Sequence, residues 1–519
     1  MKTNLFRART ALAAAVTAAV VSTSFVVPTQ AFAQADDAPL PGHVLVGVGT
    51  DETEVILSWT SVSDDVANQQ VQVAPASAGL SRNTESIDAR SAGSADKGLF
   101  GYAATVSDLK PSTEYVYRIG DGEHWGEEHR FTTGSGADDW KMLFFGDPQI
   151  GADDIERDGK AWHTVTDQAL KNNADAELLV TGGDHVDNKN HNRDGYDQLF
   201  HANALNSVPT AANRGNDDTR VEPFGSYFVR PNVDPEGNYF FHHNNALIVS
   251  LDTSATNTPS IEADRQFVHD VVTREGASAD WVIVTFHHSL YSEGAHKNDP
   301  EINRLRDALA PTFSEVGVDL VLSGHDHSYS RSHLIDGTTP NIPNELAAPG
   351  DAFHQGDSEV LYITANSSTG SQFYDLHDND GKAHPEATVD QMRAEGWTRH
   401  TTAFAQQDYS PDYSQITITA DTLKVSTRNA ADDSIIDEVT LSKNPVPVPE
   451  GTLSPEEAQK NIASSRASMA FATVIAMISG VALLLAAPIL QAANGFRLDI
   501  RDVGEISVNK DSGSSFKKH

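Results

Sequence analysis

Lys141-Met-Leu-Phe-Phe-Gly-Asp147 sets a strand-like apolar run against a Gly-Asp pair that ends it. The same event recurs three times downstream. Leu178-Leu-Val180 leads to Gly183-Asp184, Trp281-Val-Ile-Val-Thr-Phe286 leads to His287-His288, and Val318-Asp-Leu-Val-Leu322 leads to Gly324-His325-Asp326-His327. Continuous apolar runs of this length suit strands covered on both faces. Between Asp147 and Asp184, residues 160–172 read as a helix with Trp162, Val165 and Ala169 on its inner side. One βαβ crossover fits that interval and would bring both carboxylates out on the same edge of a sheet. Ligands collect at strand C-termini because loops there converge on one crevice. Further on, residues 415–419 and 423–427 alternate and 435–441 do so more weakly, which predicts a closing antiparallel meander.

Upstream the style differs. Residues 39–133 read as short strands separated by turns, with Val55, Leu57 and Trp59 on one face of the first and further strands at 100–106, 114–119 and 128–133. This predicts a small β-sandwich. The stretch Leu109-Lys-Pro-Ser-Thr-Glu-Tyr115 and its continuation resemble the tyrosine-corner strand of fibronectin type III domains, with Tyr115 at the corner and Trp59 in the core. Gly134-Ser-Gly-Ala-Asp-Asp139 is a polar boundary.

The 519 residues are too many for one ordinary domain. The expected organisation is a signal peptide at 1–33, a sandwich at 34–135, an α/β domain at 136–443, a Pro-rich linker at 444–466, a transmembrane helix at 467–490 and a cytoplasmic tail at 491–519. Lys2, Arg7 and Arg9, the uncharged run 10–27 and Ala31-Phe32-Ala33 carry the first expectation. The uncharged run 467–490, long enough to span a bilayer as a helix, carries the fifth. Export with a C-terminal anchor predicts a cell-surface protein. There is no cysteine, so disulfides cannot contribute to stability. A formal charge of -36 repels nucleic acid and anionic lipid headgroups, which excludes polyanion partners. An anionic substrate would need local attraction, and metal ions would supply it.

The chemistry-bearing residues come in order: Asp147, Gln149, Asp184, Asn216, Asp217, His287, His288, His325, His327 and, shortly after, Arg331. Two metal ions need a bridging carboxylate together with nitrogen and oxygen ligands that leave positions for water and substrate. The series provides all of these. A Ser/Gly-rich run, Asn366-Ser-Ser-Thr-Gly-Ser-Gln-Phe-Tyr374, follows a strand and would either meet a phosphate or orient ligands. His185, His191, His242, His243 and His296 read as plain surface histidines.

Residues 140 to about 400 resemble the binuclear, calcineurin-like metallophosphoesterase superfamily, and with the sandwich in front the pair is similar to secreted purple-acid-phosphatase-like proteins. The motifs that carry this are Gly146-Asp-Pro-Gln149, Gly183-Asp-His-Val-Asp187, Gly215-Asn-Asp-Asp218, His287-His-Ser-Leu-Tyr291 and Gly324-His-Asp-His327. The resemblance implies a four-layer α/β/β/α sandwich binding two divalent or trivalent ions (Fe, Mn or Zn) that hydrolyses phosphoesters with metal-activated water. It implies that Asp184 bridges, that Asp147 and His327 serve the first ion, that Gln149, where the family usually has a histidine, is either an oxygen ligand of that ion or a donor behind its ligands, and that Asn216, His287 and His325 serve the second. Asp217, where the family usually has a histidine that assists the leaving group, would be protonated, or replaced in that role by His288 or His185, or turnover would be slow. A histidine at 217 is then expected to raise turnover. Arg331 is the expected phosphate-neutralising cation. Asp187 stands where true purple enzymes have an iron-binding tyrosine, so a purple colour is not expected. The alternative reading is a catalytically weak surface binding protein with a structural metal cluster.

Overall fold

The structure, a computed structural model, describes residues 41–187, 193–218, 224–344, 346–385, 387–444, 496–501 and 505–510. The expected signal peptide, linker and transmembrane helix lie outside the described residues, as does His191. Among those described, no helix is long and apolar enough to cross a membrane. Residues 41–444 form one unit. The tail contributes a separate hairpin, Phe496–Arg501 with Glu505–Lys510.

Two sheets face each other in the α/β part. Trp140–Phe145 and Ala176–Thr181 pair in parallel, as a βαβ unit requires, and Thr210–Ala212 extends them. On the other side Trp140–Phe145 pairs with the antiparallel meander Asp412–Ile418, Thr422–Asn429 and Ile435–Ser442. The second sheet is built around the parallel strands Ala246–Ser250, Trp281–Thr285, Leu320–Ser323 and Glu359–Thr364.

Alternation along these strands produces the layers. Trp140, Met142 and Phe144 point into the core between the sheets, where they meet Ile283, Leu320 and Leu322. Leu143 and Phe145 point outward onto Trp162, Val165 and Ala169 of the helix Ile155–Asn172. Val282, Val284 and Val321 point outward onto Val268, Leu305 and Leu309 of the helices Thr258–Glu275 and Pro300–Val316. Both central strands are therefore covered on two faces, which is why they read as unbroken apolar runs. The first helix starts five residues earlier than its apolar periodicity indicates. Asp154 caps it by accepting from the Arg157 N–H, and its polar first turn carries no apolar signal.

The front unit is a β-sandwich with Trp59 buried, its indole N–H donating to Gln69 Oε1 at 2.9 Å. The Tyr115 hydroxyl accepts the Lys110 N–H at 2.9 Å, which closes the tyrosine corner. The polar boundary at 134–139 does not separate two independent sheets. Gly42–Val48 pairs in parallel with Thr210–Ala212, so one sandwich sheet continues into an eleven-stranded sheet shared with the α/β part.

Candidate metal centre

The C-terminal ends of the inner strands of both sheets meet at one edge, and the motif residues gather there. Asp147 and Asp184 follow Trp140–Phe145 and Ala176–Thr181, Asn216 and Asp217 follow Thr210–Ala212, His287 and His288 follow Trp281–Thr285, and His325 and His327 follow Leu320–Ser323. His287 Nε2 lies 3.2 Å from Asp184 Oδ2, 3.0 Å from Asn216 Oδ1 and 3.1 Å from His325 Nδ1. Asp147 Oδ2 lies 3.0 Å from His327 Nε2 and accepts the His325 N–H at 2.6 Å. Gln149 reaches Asp217, and the Asp217 N–H donates to Asp184 Oδ1 at 2.7 Å.

The backbone is bent to achieve this. Gln149, Asp184 and His325 occupy the left-handed region, with φ of 37°, 48° and 69°. Non-glycine residues rarely do so without compensation, and such outliers concentrate at functional sites. Glycine is required beside them. A Cβ on Gly215 would overlap Asp184 Oδ1, and one on Gly324 would overlap Asp147 Oδ1.

Two histidines are oriented from behind. His287 Nδ1 donates to the Gly182 carbonyl and His327 Nδ1 to the Gln372 carbonyl, each at 2.9 Å, which leaves Nε2 as the nitrogen that faces the carboxylates. A ligating histidine is commonly held by this arrangement. His288 is buried, with its Nδ1 2.9 Å from Thr253 Oγ1 and its ring centroid 4.5 Å from that of His325, so it packs against His325.

Asp147, Asp184, Asp187, Asp217 and Asp218 are all nearly inaccessible to solvent. Burial, helped by Asp217 and Asp147, raises the Asp184 carboxyl to about 6 even though His287 opposes the shift. Burial pulls the His287 imidazole down, but Asp184 and Asp147 outweigh it and lift it to about 10. Burial and the neighbouring imidazoles hold His288 and His325 well below the usual range. Two buried oxygens, Asp147 Oδ1 and Gln149 Oε1, accept no hydrogen bond among the described residues. Crowded buried carboxylates, lone-pair nitrogens and unsatisfied oxygens together fit bound cations.

Arg331 is not delivered to this cluster. It is buried, with Nε on Asp437 at 2.6 Å and Nη2 on Asp351 at 3.1 Å, so its charge is already engaged between the sheets. The Ser/Gly-rich loop holds the backbone of the Asp147 turn: Ser367, Ser368, Thr369 and Ser371 donate their hydroxyls to the carbonyls of Asp147, Gly146, Pro148 and Pro148. His185 is also no surface residue. It bonds Thr181 and Asp218, and Asp218 also accepts from Gly215 N–H, tying the Asp184 and Asn216 loops together. His296 was missed as well. Its ring centroid lies 4.4 Å from that of His325 and 5.4 Å from that of Tyr374, its side chain is 33% exposed, and Nδ1 is 2.8 Å from Asp299 Oδ2. No local pattern marks it, since it stands in a loop and reaches the site only through the path of that loop.

Residues 141–329 match the family model for calcineurin-like phosphoesterase, so this part of the chain is a domain of that family. Residues 41–133 match the family model for the purple acid phosphatase N-terminal domain. The chain is 24% identical to an uncharacterized protein of Mycobacterium tuberculosis over 332 residues, covering 55% of this chain and 60% of that one. It is 24% identical to purple acid phosphatase 1 of Ipomoea batatas over 361 residues, covering 65% and 72%. The solved purple acid phosphatase PPD1 from yellow lupin (Lupinus luteus) seeds shares the fold, with a TM-score of 0.59 and 16% identity over 80% of this chain and 78% of that one. The chain thus spans less than two thirds of the mycobacterial relative's length.

Proposed function

We propose that this protein hydrolyses phosphoesters at a pair of metal ions, on a cell surface where residues 467–490 anchor it. One observation carries the catalytic reading: Asp147, Asp184, Asn216, His287, His325 and His327, drawn from five loops, lie within hydrogen-bonding or ring contact of one another at a single edge. Asp147, Gln149 and His327 would hold one ion, Asn216, His287 and His325 the other, and Asp184 both. Fe, Mn and Zn all suit this mixture of oxygen and nitrogen donors. When bound, the ions supply Lewis acidity toward phosphoryl oxygens and a water acidic enough to act near neutral pH.

The chain's own residues account for the remainder. His287 and His327 are locked with Nε2 inward, so no tautomer change is needed before ligation. The Ser/Thr loop clamps the carbonyls around Asp147 and so limits movement of that carboxylate. Asp299 engages Nδ1 of His296, so Nε2 remains to deliver a proton to the departing oxygen. This answers the absence of a histidine at 217.

The test is reconstitution of the purified chain with Mn, Fe or Zn, followed by hydrolysis of an aryl phosphate and a bis-aryl phosphate with an Asp184→Asn control. Two ions per chain and Asp184-dependent turnover are expected. Tight metal binding with no turnover on a broad ester panel would instead support a surface binding protein. Placement is checked by deleting 467–490, which should release the protein from the membrane fraction; unchanged fractionation would overturn the anchor.

A further inference from the structure

We infer that Asp217 is a positioning residue that turns two neighbouring amides so that each offers its oxygen to a metal, Gln149 to the first and Asn216 to the second. The inference rests on the metal-centre reading proposed above. Gln149 is held in its left-handed conformation by its N–H, which donates to the Asp184 carbonyl at 2.8 Å. From that position its side-chain nitrogen Nε2 donates to Asp217 Oδ2 at 2.9 Å, inside the protein. An ionised carboxylate only accepts hydrogen bonds, so the NH2 end must face Asp217 and Oε1 must face away. That Oε1 is buried and accepts no hydrogen bond among the described residues, a state that needs an explanation in a folded protein. Asp147 Oδ1, two residues earlier on the same loop, is in the same state.

The other oxygen of Asp217 does the same work on the other side. Asn216 Nδ2 donates to Asp217 Oδ1 at 3.1 Å, which leaves Asn216 Oδ1 directed at His287 Nε2, 3.0 Å away. The Asp217 N–H meanwhile donates to Asp184 Oδ1, the carboxylate assigned to both ions. One residue therefore touches a ligand of the first site, a ligand of the second and the bridge between them. Its carboxylate is directed at two amide donors. The two departures from the superfamily pattern, glutamine at 149 and aspartate at 217, then form one coupled unit. Imidazole cannot replace this carboxylate, because it cannot accept from two NH2 groups at once. Asp217→His is expected to weaken metal binding and not to raise turnover.

The test is titration of the full chain with Mn2+ alone by calorimetry and equilibrium dialysis, with circular dichroism to confirm folding. The wild type should bind two ions. Asp217→Leu and Asp217→His should weaken at least one site by about 10- to 100-fold, the usual effect of removing a group that orients a ligand. Asp217→Asn, whose Oδ1 still accepts from one amide, should lie closer to the wild type. The double variant Asp217→Leu/Gln149→Leu should bind the weakened site no worse than Gln149→Leu alone. Unchanged affinities in Asp217→Leu, an Asp217→Asn as weak as Asp217→Leu, or additive losses in the double variant would each overturn the inference while leaving the metal centre intact. A wild type that binds no pair of ions would overturn both.

Discussion

Arg331 Nε donates to Asp437 Oδ2 at 2.6 Å, and the Tyr329 hydroxyl donates to the same oxygen at 2.9 Å. The arginine comes from a strand of the second sheet, Tyr329–Ser332, and the aspartate from the first-sheet strand Ile435–Ser442, so a buried ion pair joins the two sheets. Arg331→Met should cost about 3–5 kcal/mol of stability, because it leaves a buried carboxylate without its counter-charge. The double variant Arg331→Met/Asp437→Leu should recover most of that loss. Thermal denaturation checks both. A variant with unchanged Tm and a reduced kcat would return Arg331 to the role of phosphate contact.

His296→Asn should lower kcat by about 100- to 10,000-fold on esters with poor leaving groups, the range expected for a lost general acid. The loss should be much smaller on activated aryl phosphates, which need no proton on departure, and metal content should stay at the wild-type level. Equal losses on both substrate types would argue for a structural role.

Between pH 7 and 10 the metal-free protein should lose stability as pH rises. His287 titrates at about 10 in the folded chain, raised by Asp184 and Asp147 against its burial, but near 6.5 when unfolded. The folded state thus keeps a proton that the unfolded state has released, and its contribution, complete below 6.5, disappears as pH passes through 10. Metal displaces that proton, so loading at pH 8 should release protons, and the loaded protein should show a flatter profile. Melting curves across this range, with and without Mn2+, provide the comparison. A metal-free Tm that is constant or rises toward pH 10 would contradict the assignment.

Much of the candidate site was legible in sequence because its motifs sit directly after strongly apolar strands. Asp147, Asp184, His287, His325 and His327 are announced by the runs that precede them. Other features had no such signal. His296 reaches His325 through an irregular loop, and His185 is buried by Phe224 and Phe228, which lie far from it in the chain. Whether Ser367 and Ser368 face a substrate or the Asp147 loop depends on hydroxyl directions, which composition does not encode. Arg331 misled because a cation near a metal motif suits phosphate, while its actual partner, Asp437, is more than a hundred residues away.

The sequence by itself determined the layers and which polar residues stand at the ends of the inner strands, since apolar periodicity dictates which strands are covered twice and Gly-Asp or Gly-His pairs mark where they end. Only the tertiary structure decided what each polar side chain does. The role of Asp217, for example, is set by the amides of Gln149 and Asn216. Hydrogen bonds act over about 3 Å and in fixed directions, so they depend on which side chains distant segments bring together.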